Sequence, residues 1–427
     1  MGNEDGTERW GYVEVRDQVN LFWWYYRSPN KTEDSTKQWP VILWLQGGPG
    51  ASGVGKGNFE EIGPLNVNLE PRSTTWLNKA DLLFVDSPAG TGFSYVNDSR
   101  LLVTSDEEAA IDLTKLLIHV FNACESLPMS PLYIVGESYG GKHAAILALN
   151  LLYEIQSGNL KATFGGLILG SSWISPADFT SSWGPVLKYV SRLDENGLRR
   201  TNSVAKQITQ QVEAGDFLNA TTTFNHLVDV LVNNSWGVDI YNFMLDELND
   251  PLVNTNSMTN RYTTFSTSSS SSNVSSSNLT ILMNGVIREK LKIIPPYVKW
   301  EFSSDLVFNA LAGEFMKPRI NEVDLLLEKG VPVTIYTGQL DVICSPKGTE
   351  TWVKKLKWEG LQNFLSTERV PIFYTLNDQG ILFGFNKSYK SLTFYWILGA
   401  GHFVPAERPF VAMEMIGKAT NSPALSF

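Results

Sequence analysis

Hydrophobic positions follow two rhythms along this chain. Short continuous apolar runs, Val41 to Leu45, Leu82 to Val85, Leu132 to Val135 and Leu167 to Leu169, each stop at glycine-rich or turn-forming residues. That is the pattern of strands buried on both faces. Thr104 to Phe121 instead places Ala110, Leu113, Leu117 and Val120 at helical spacing behind a capping signal in Thr104 and Glu107. Lys142 to Ile155 predicts a second helix. Near the start, Trp10 to Arg16 and Leu21 to Tyr26 are β-rich runs separated by polar residues, as in an antiparallel pair. Strands alternating with helices imply an α/β fold: a mostly parallel central sheet with helices on both faces.

The alternation lapses between about 172 and 315. This stretch predicts a large irregular, mainly helical insertion (a cap subdomain). Its Ser-rich tract, 266–277, is too polar to bury and reads as an exposed loop. The α/β pattern resumes with a helix over Asn321 to Lys329, strands over Val331 to Thr337 and Leu392 to Leu398, and a last helix near Pro409 to Ala419. The domain reading is therefore 1–171 and 316–427 as one catalytic α/β domain, interrupted by 172–315.

The sharpest chemical motif is Gly136-Glu137-Ser138-Tyr139-Gly140, which follows an apolar strand and precedes a helix with small residues at Gly141, Ala144 and Ala145. Flanking glycines suit a strained strand-to-helix turn that exposes a nucleophilic serine, and the helix start offers N–H groups to a developing oxyanion. Such a serine needs a histidine base oriented by a carboxylate, here in the chain order Ser, acid, His. Of four histidines, His119 and His143 lie on the two helices around the motif and His226 lies in the insertion. His402 follows a predicted strand in a glycine-rich loop, where a base belongs. Asp341 ends another buried strand and is preferred as the acid over Asp378, whose Asn-Asp-x-Gly setting reads as a hairpin turn. A second glycine loop, Gln46-Gly47-Gly48-Pro49-Gly50, lies where such hydrolases place the other oxyanion donor.

Taken in order, Trp44 to Gly50, Phe59 to Pro64, Asp86 to Tyr95, Gly136 to Lys142, Gly338 to Asp341 and Gly401 to Pro405 resemble the serine carboxypeptidases over nearly the whole chain, Trp10 to Ala419. Trp10 to Val13, Phe22 to Tyr26 and Gln46 are most similar to the retinoid-inducible branch. The resemblance implies an α/β-hydrolase fold and an exopeptidase that releases one C-terminal residue at acidic pH through an acyl-enzyme. It implies N–H groups of Gly48 and Tyr139 as the oxyanion hole. Gln46, Gly47 and Glu137 would hold the substrate's terminal carboxylate, Glu61 would support Glu137, and Phe403, where a Met is common, would wall the leaving-residue pocket. A carboxylate beside the nucleophile and a second one nearby must share a proton, so such binding strengthens as pH falls. The longer amide of Gln46, where most of the family has Asn, shifts the carboxylate's position. Plant relatives on this scaffold act as acyltransferases or hydroxynitrile lyases, and an acyltransferase or a non-catalytic binding protein is the alternative.

Composition adds limits. A net charge of −10 argues against nucleic acid as a partner. No run of about eighteen apolar residues is present, so no membrane span is expected. No cofactor motif or metal-ligand spacing occurs, and peptide or protein C-termini are the expected partners, with the oligomeric state open. Met1 to Gly6 does not read as a signal peptide, and the start looks like that of a mature chain. The sequons at Asn30, Asn97, Asn219, Asn233, Asn273, Asn278 and Asn386 are glycosylation candidates that fit a secreted or lysosomal protein, though a chain this rich in Asn, Ser and Thr produces some by chance. Two cysteines, Cys124 and Cys344, do not settle the redox compartment; packing is the expected role of Cys124, and Cys344 lies three residues past Asp341, where some relatives carry a free thiol.

Overall fold

The computed structural model describes residues 1–31, 38–123, 127, 130–246, 276–376 and 379–424. Eleven strands form one sheet. They are β1 (Glu8–Arg16), β2 (Val19–Tyr26), β3 (Val41–Leu45), β4 (Asp81–Val85), β5 (Tyr95–Val96), β6 (Pro131–Glu137), β7 (Thr163–Gly170), β8 (Val333–Gly338), β9 (Val370–Leu376), β10 (Gln379–Tyr389) and β11 (Leu392–Ile397). Their order is β1-β2-β4-β3-β6-β7-β8-β11-β10-β9, with β5 beside β2. The six central strands, β4 to β11 in that order, are parallel, and both edges are antiparallel.

Period-two alternation sorts the central side chains into two cores. Val41, Leu43, Leu83, Leu132, Ile134, Leu167 and Leu169 join one apolar cluster, and Ile42, Trp44, Leu82, Phe84, Tyr133, Val135 and Ile168 join the other. Helices α1 (Asp106–Asn122) and α2 (Gly140–Gln156) cover the first face with Leu113, Leu117, Ala144 and Ala145. The C-terminal helix Pro409–Ala419 covers the second with Val411, Met415 and Ile416. The predicted sheet and its two helical layers are thus present.

Several expectations need correction. The cap of α1 is one residue later than expected: Ser105 accepts from the Glu108 N–H at 3.2 Å, and Glu108 accepts from the Thr104 N–H at 2.8 Å. Both pairings satisfy the Ser/Thr-x-x-Glu pattern, and only the backbone turn decides between them. The segment after β7 is more regular than its sequence suggests, with α3 (Pro176–Tyr189), α4 (Glu195–Glu213) and α5 (Phe217–Ser235). In α4 the buried stripe is Gly197, Thr201, Ala205 and Ile208. It has helical spacing but mostly small or polar residues, so hydrophobicity alone does not reveal it. The Ser-rich tract lies outside the described residues except for Ser276 and Ser277, which open the helix Ser276–Leu282 instead of continuing a loop. Strands β9 and β10 add an antiparallel pair at the sheet edge, on either side of Asn377 and Asp378, whose expected hairpin turn lies outside the described residues. Cys124 and Asn273 also lie outside them.

A buried charge cluster under α2 holds the fold together next to the Ser138 turn. Asp106 lies 2.9 Å from Arg319, 3.3 Å from Lys142 and 3.2 Å from His143, and accepts from the Tyr139 hydroxyl at 2.5 Å. Burial works to raise the Asp106 pKa, but Lys142, His143 and Arg319 outweigh it and hold the carboxyl well below its usual range. An acid depressed in this way contributes stability above its unfolded pKa and loses it only as pH falls through the lower folded value, so mild acid leaves the contribution intact. Asp106→Ala takes the carboxylate from buried Lys142, which is left with the Glu314 and Phe315 carbonyls, while Arg319 keeps Glu107, Glu314 and Glu322; we expect it to lower stability by about 3 kcal/mol, read as a fall in the denaturant midpoint. A midpoint unchanged from wild type would show that the cluster does not hold the fold.

Candidate active site

Three loops at the carboxyl ends of neighbouring parallel strands converge. Ser138 follows β6, Asp341 follows β8 and His402 follows β11, with β7 between the first two strands. Ser138 has φ of +56°, the left-handed region that costs an L-residue energy and recurs where a side chain must be presented. The flanking glycines make this turn sterically feasible. A Cβ on Gly136 would stand 2.5 Å from the Gly140 carbonyl oxygen, and one on Gly140 would stand 2.3 Å from that of Leu45.

Asp341 and His402 are paired and buried. Asp341 Oδ2 lies 2.9 Å from His402 Nδ1, and Asp341 Oδ1 accepts the Cys344 N–H at 2.9 Å. His402 Nε2 is buried and makes no hydrogen bond among the described residues, so the bond to Ser138 is not formed in this resting state. Such bonds often tighten only when substrate arrives. Burial pushes the Cys344 thiol well above its usual pKa, helped by Asp341 and Glu137. Asp341, Cys344 and His402 bring one potential ligand atom each within 4.8 Å, but a thiol held protonated makes a poor metal ligand.

The second glycine loop sits against Ser138: a Cβ on Gly47 would lie 2.6 Å from Ser138 Cβ and 3.0 Å from its Oγ. This places Gly47 beside Ser138, which Tyr139 follows at the start of α2. Gln46, at the end of β3, joins two acids. Its Nε2 donates to Glu137 Oε1 at 2.7 Å and to Glu61 Oε1 at 3.0 Å, while its Oε1 accepts from Trp44 Nε1 at 2.8 Å. The indole fixes the amide orientation, and both amide hydrogens are committed to the two acids. Glu61 Oε2 and Glu137 Oε2 are buried and accept from no other donor among the described residues, the two carboxyl groups being hydrogen-bonded to each other, and the Tyr336 hydroxyl is buried without a partner among those residues. Burial first, and the neighbouring Glu61 second, push the Glu137 carboxyl well above its usual range. A carboxylic acid in such a pair is suited to receive another carboxylate through a shared proton.

A family model described as serine carboxypeptidase matches residues 2–422. The chain belongs to the serine carboxypeptidase family. Serine carboxypeptidase-like 51 of Arabidopsis thaliana is 55% identical over 435 residues, spanning 99% of this chain and 94% of that protein. Retinoid-inducible serine carboxypeptidase of Rattus norvegicus is 42% identical over 429 residues, spanning 98% and 92%. Among solved structures, a prohormone-processing carboxypeptidase of Saccharomyces cerevisiae matches with a TM-score of 0.81 at 22% identity, covering 97% of this chain and 91% of that one. That likeness establishes the α/β-hydrolase fold. The protein is a serine-type carboxypeptidase.

In this carboxypeptidase several supporting residues escape sequence reasoning. Residues Ile240 to Asn242, after α5, tie the Asp341 and His402 loops together. The Ile240 carbonyl accepts the N–H groups of Val342 and Ile343 at 3.1 and 2.9 Å, and the Tyr241 carbonyl accepts that of His402 at 2.7 Å. Glu407 accepts from Asn242 at 2.7 Å and from the Gly401 N–H at 2.9 Å, pinning the loop before His402. Ile240, Tyr241, Asn242 and Glu407 belong to no recognisable motif, and only the fold brings them to Asp341 and His402. Asp86, in contrast, lies in one of the quoted blocks, and its role is now visible. It accepts from the Ser52 hydroxyl and from the N–H groups of Val54 and Phe93, joining the β4 loop to the π-helix Gly53–Ile62; burial lifts its pKa to about 6. Phe403 lies edge-on to His402, 4.9 Å between ring centres.

Among the described residues no helix is long and apolar enough to cross a membrane. Asn30, Asn97, Asn219, Asn233 and Asn278 are exposed and Asn386 is half-buried. The Asn219 amide donates to Asp216 at 2.8 Å.

Proposed function

We propose that this carboxypeptidase cleaves the terminal peptide bond with Ser138 as nucleophile, His402 as its base and Asp341 as the group that orients the base. Gly48 and Tyr139 supply the oxyanion N–H groups, and Gln46, Gly47, Glu61 and Glu137 receive the substrate's terminal carboxylate. Phe403 forms a wall of the leaving-residue pocket. The observation that carries this reading is the buried, mutually hydrogen-bonded pair Glu61–Glu137, bridged by Gln46 next to the nucleophile. An ester or neutral amide has no use for such a pair. A terminal carboxylate replaces one of the Gln46 bonds and takes up the shared proton. The segment 172–315 is read as the insertion on the catalytic domain. Secretion or lysosomal residence, with sugar on the exposed sequons, fits an enzyme that works in acid.

The pH dependence tests this directly. Glu137 carries a raised pKa, so it holds its proton in mild acid and loses it as pH rises. Hydrolysis of an N-blocked dipeptide with a free carboxyl terminus is therefore highest in acid and declines upward. Hydrolysis of the matching C-terminal amide, which brings no carboxylate to the receptor, does not share that decline. In Glu137→Gln the decline becomes shallower and the two profiles converge. Identical wild-type profiles for both substrates would overturn the receptor reading.

A further inference from the structure

The receptor contains a cation that sequence reasoning did not assign. Lys56 lies on the π-helix Gly53–Ile62, which also carries Glu61. Residues five apart in a π-helix stand one turn apart, so Lys56 and Glu61 occupy the same face. Lys56 is buried, with 6% of its surface exposed, at a depth comparable to Gln46. Its Nζ lies 3.2 Å from the centre of the Phe403 ring and 5.5 Å from that of Phe302. It is close enough to Glu137 to act on its charge. Facing Glu137 are thus Glu61 and Lys56 from the π-helix, Tyr336 from β8 and Cys344 beyond β8.

We propose that Lys56 is a fifth member of the carboxylate receptor, balancing the charge of the Glu61–Glu137 pair so that a peptide's terminal carboxylate enters a neutral site. The proposal rests on the receptor reading above. Two carboxyl groups sharing one proton carry a single negative charge, which by itself repels an incoming carboxylate. The Lys56 ammonium cancels that charge and adds attraction through a medium with few competing waters, where a unit charge a few ångströms away acts strongly. The aromatic rings beside it compensate in part for the water that a buried ammonium loses. Phe403 connects this cation to the wall next to His402, so charge recognition and scissile-bond placement share one surface.

Lys56→Met tests the proposal, because it retains the stem against Phe403 and removes the charge. Free-acid and amide forms of one N-blocked dipeptide are compared across pH. The ratio of their kcat/KM values in mild acid is expected to fall roughly ten-fold, through KM on the free acid. Loss of the cation also raises the Glu137 pKa further, so the decline of free-acid cleavage shifts to higher pH. Weaker binding combined with an upward-shifted limb is a pattern that lost packing does not produce. An unchanged ratio, or a parallel fall on both substrates, overturns the role of Lys56 while leaving the receptor reading in place. Coincident wild-type profiles overturn the receptor reading itself. If Lys56→Met does not fold, Lys56→Gln gives the same comparison, and Lys56→Arg is expected to keep the wild-type ratio.

Discussion

Ser138→Ala lowers kcat by about a million-fold and leaves the protein folded. The nucleophile's Oγ makes no hydrogen bond to His402 in the resting structure, so its removal breaks no buried polar contact there. Alanine has the same Cβ as serine and tolerates the φ of +56° no better and no worse, so the turn keeps its strain. What disappears is the atom that attacks the carbonyl. The glycine loop, the Glu61–Glu137 pair and the paired Asp341 and His402 all remain. The variant should therefore still bind free-acid peptides, with a Kd near the wild-type KM, while releasing almost no amino acid. Amino-acid release above a few per cent of wild type, with contamination excluded, contradicts Ser138 as the nucleophile. Loss of binding along with turnover would mean that the turn itself had collapsed.

How far the site was legible depends on where its chemistry is stored. Ser138, Asp341 and His402 each close an apolar strand that the sequence marks clearly, and parallel strands leave their carboxyl ends on one edge. Local pattern and global topology therefore agree at those positions. The pair Glu61 and Glu137 could be named only through a family resemblance, because nothing local brings residues 76 positions apart into contact; Gln46 does so through two hydrogen bonds. Lys56 was illegible for another reason. On an α-helix it and Glu61 would face different ways, and no simple periodicity predicts a π-helix at Gly53–Ile62. The residues Ile240 to Asn242 hold the Asp341 and His402 loops mainly through backbone carbonyls, which every residue type carries, so their sequence holds no signal. Helix α4 was missed because its buried stripe includes glycine, threonine and alanine, which suit close helix packing but score as neutral.

The second large effect concerns the carboxylate that orients the base. Asp341→Asn is expected to reduce kcat by about ten-thousand-fold on free-acid and amide substrates alike, although it changes one atom. The reason lies in the other partner of that side chain. Asp341 Oδ1 accepts the Cys344 N–H at 2.9 Å, and that donor belongs to backbone that cannot rotate away. An asparagine must therefore present its oxygen to Cys344 and its NH2 to His402. Facing a donor across 2.9 Å, His402 Nδ1 has to act as acceptor, which moves the ring proton to Nε2. That is the nitrogen that must take the proton from Ser138, so the imidazole is held in the tautomer that cannot act as base. The opposite orientation of the amide would put two donors, NH2 and the Cys344 N–H, face to face in a buried site. Because both acyl-enzyme formation and its hydrolysis need the same nitrogen, no substrate escapes the loss. At high pH a small recovery is expected, as hydroxide substitutes for the missing base. The measurement is kcat for both substrate classes across pH, with circular dichroism as the check on fold. A loss smaller than ten-fold would show that Asp341 does not set the tautomer of His402.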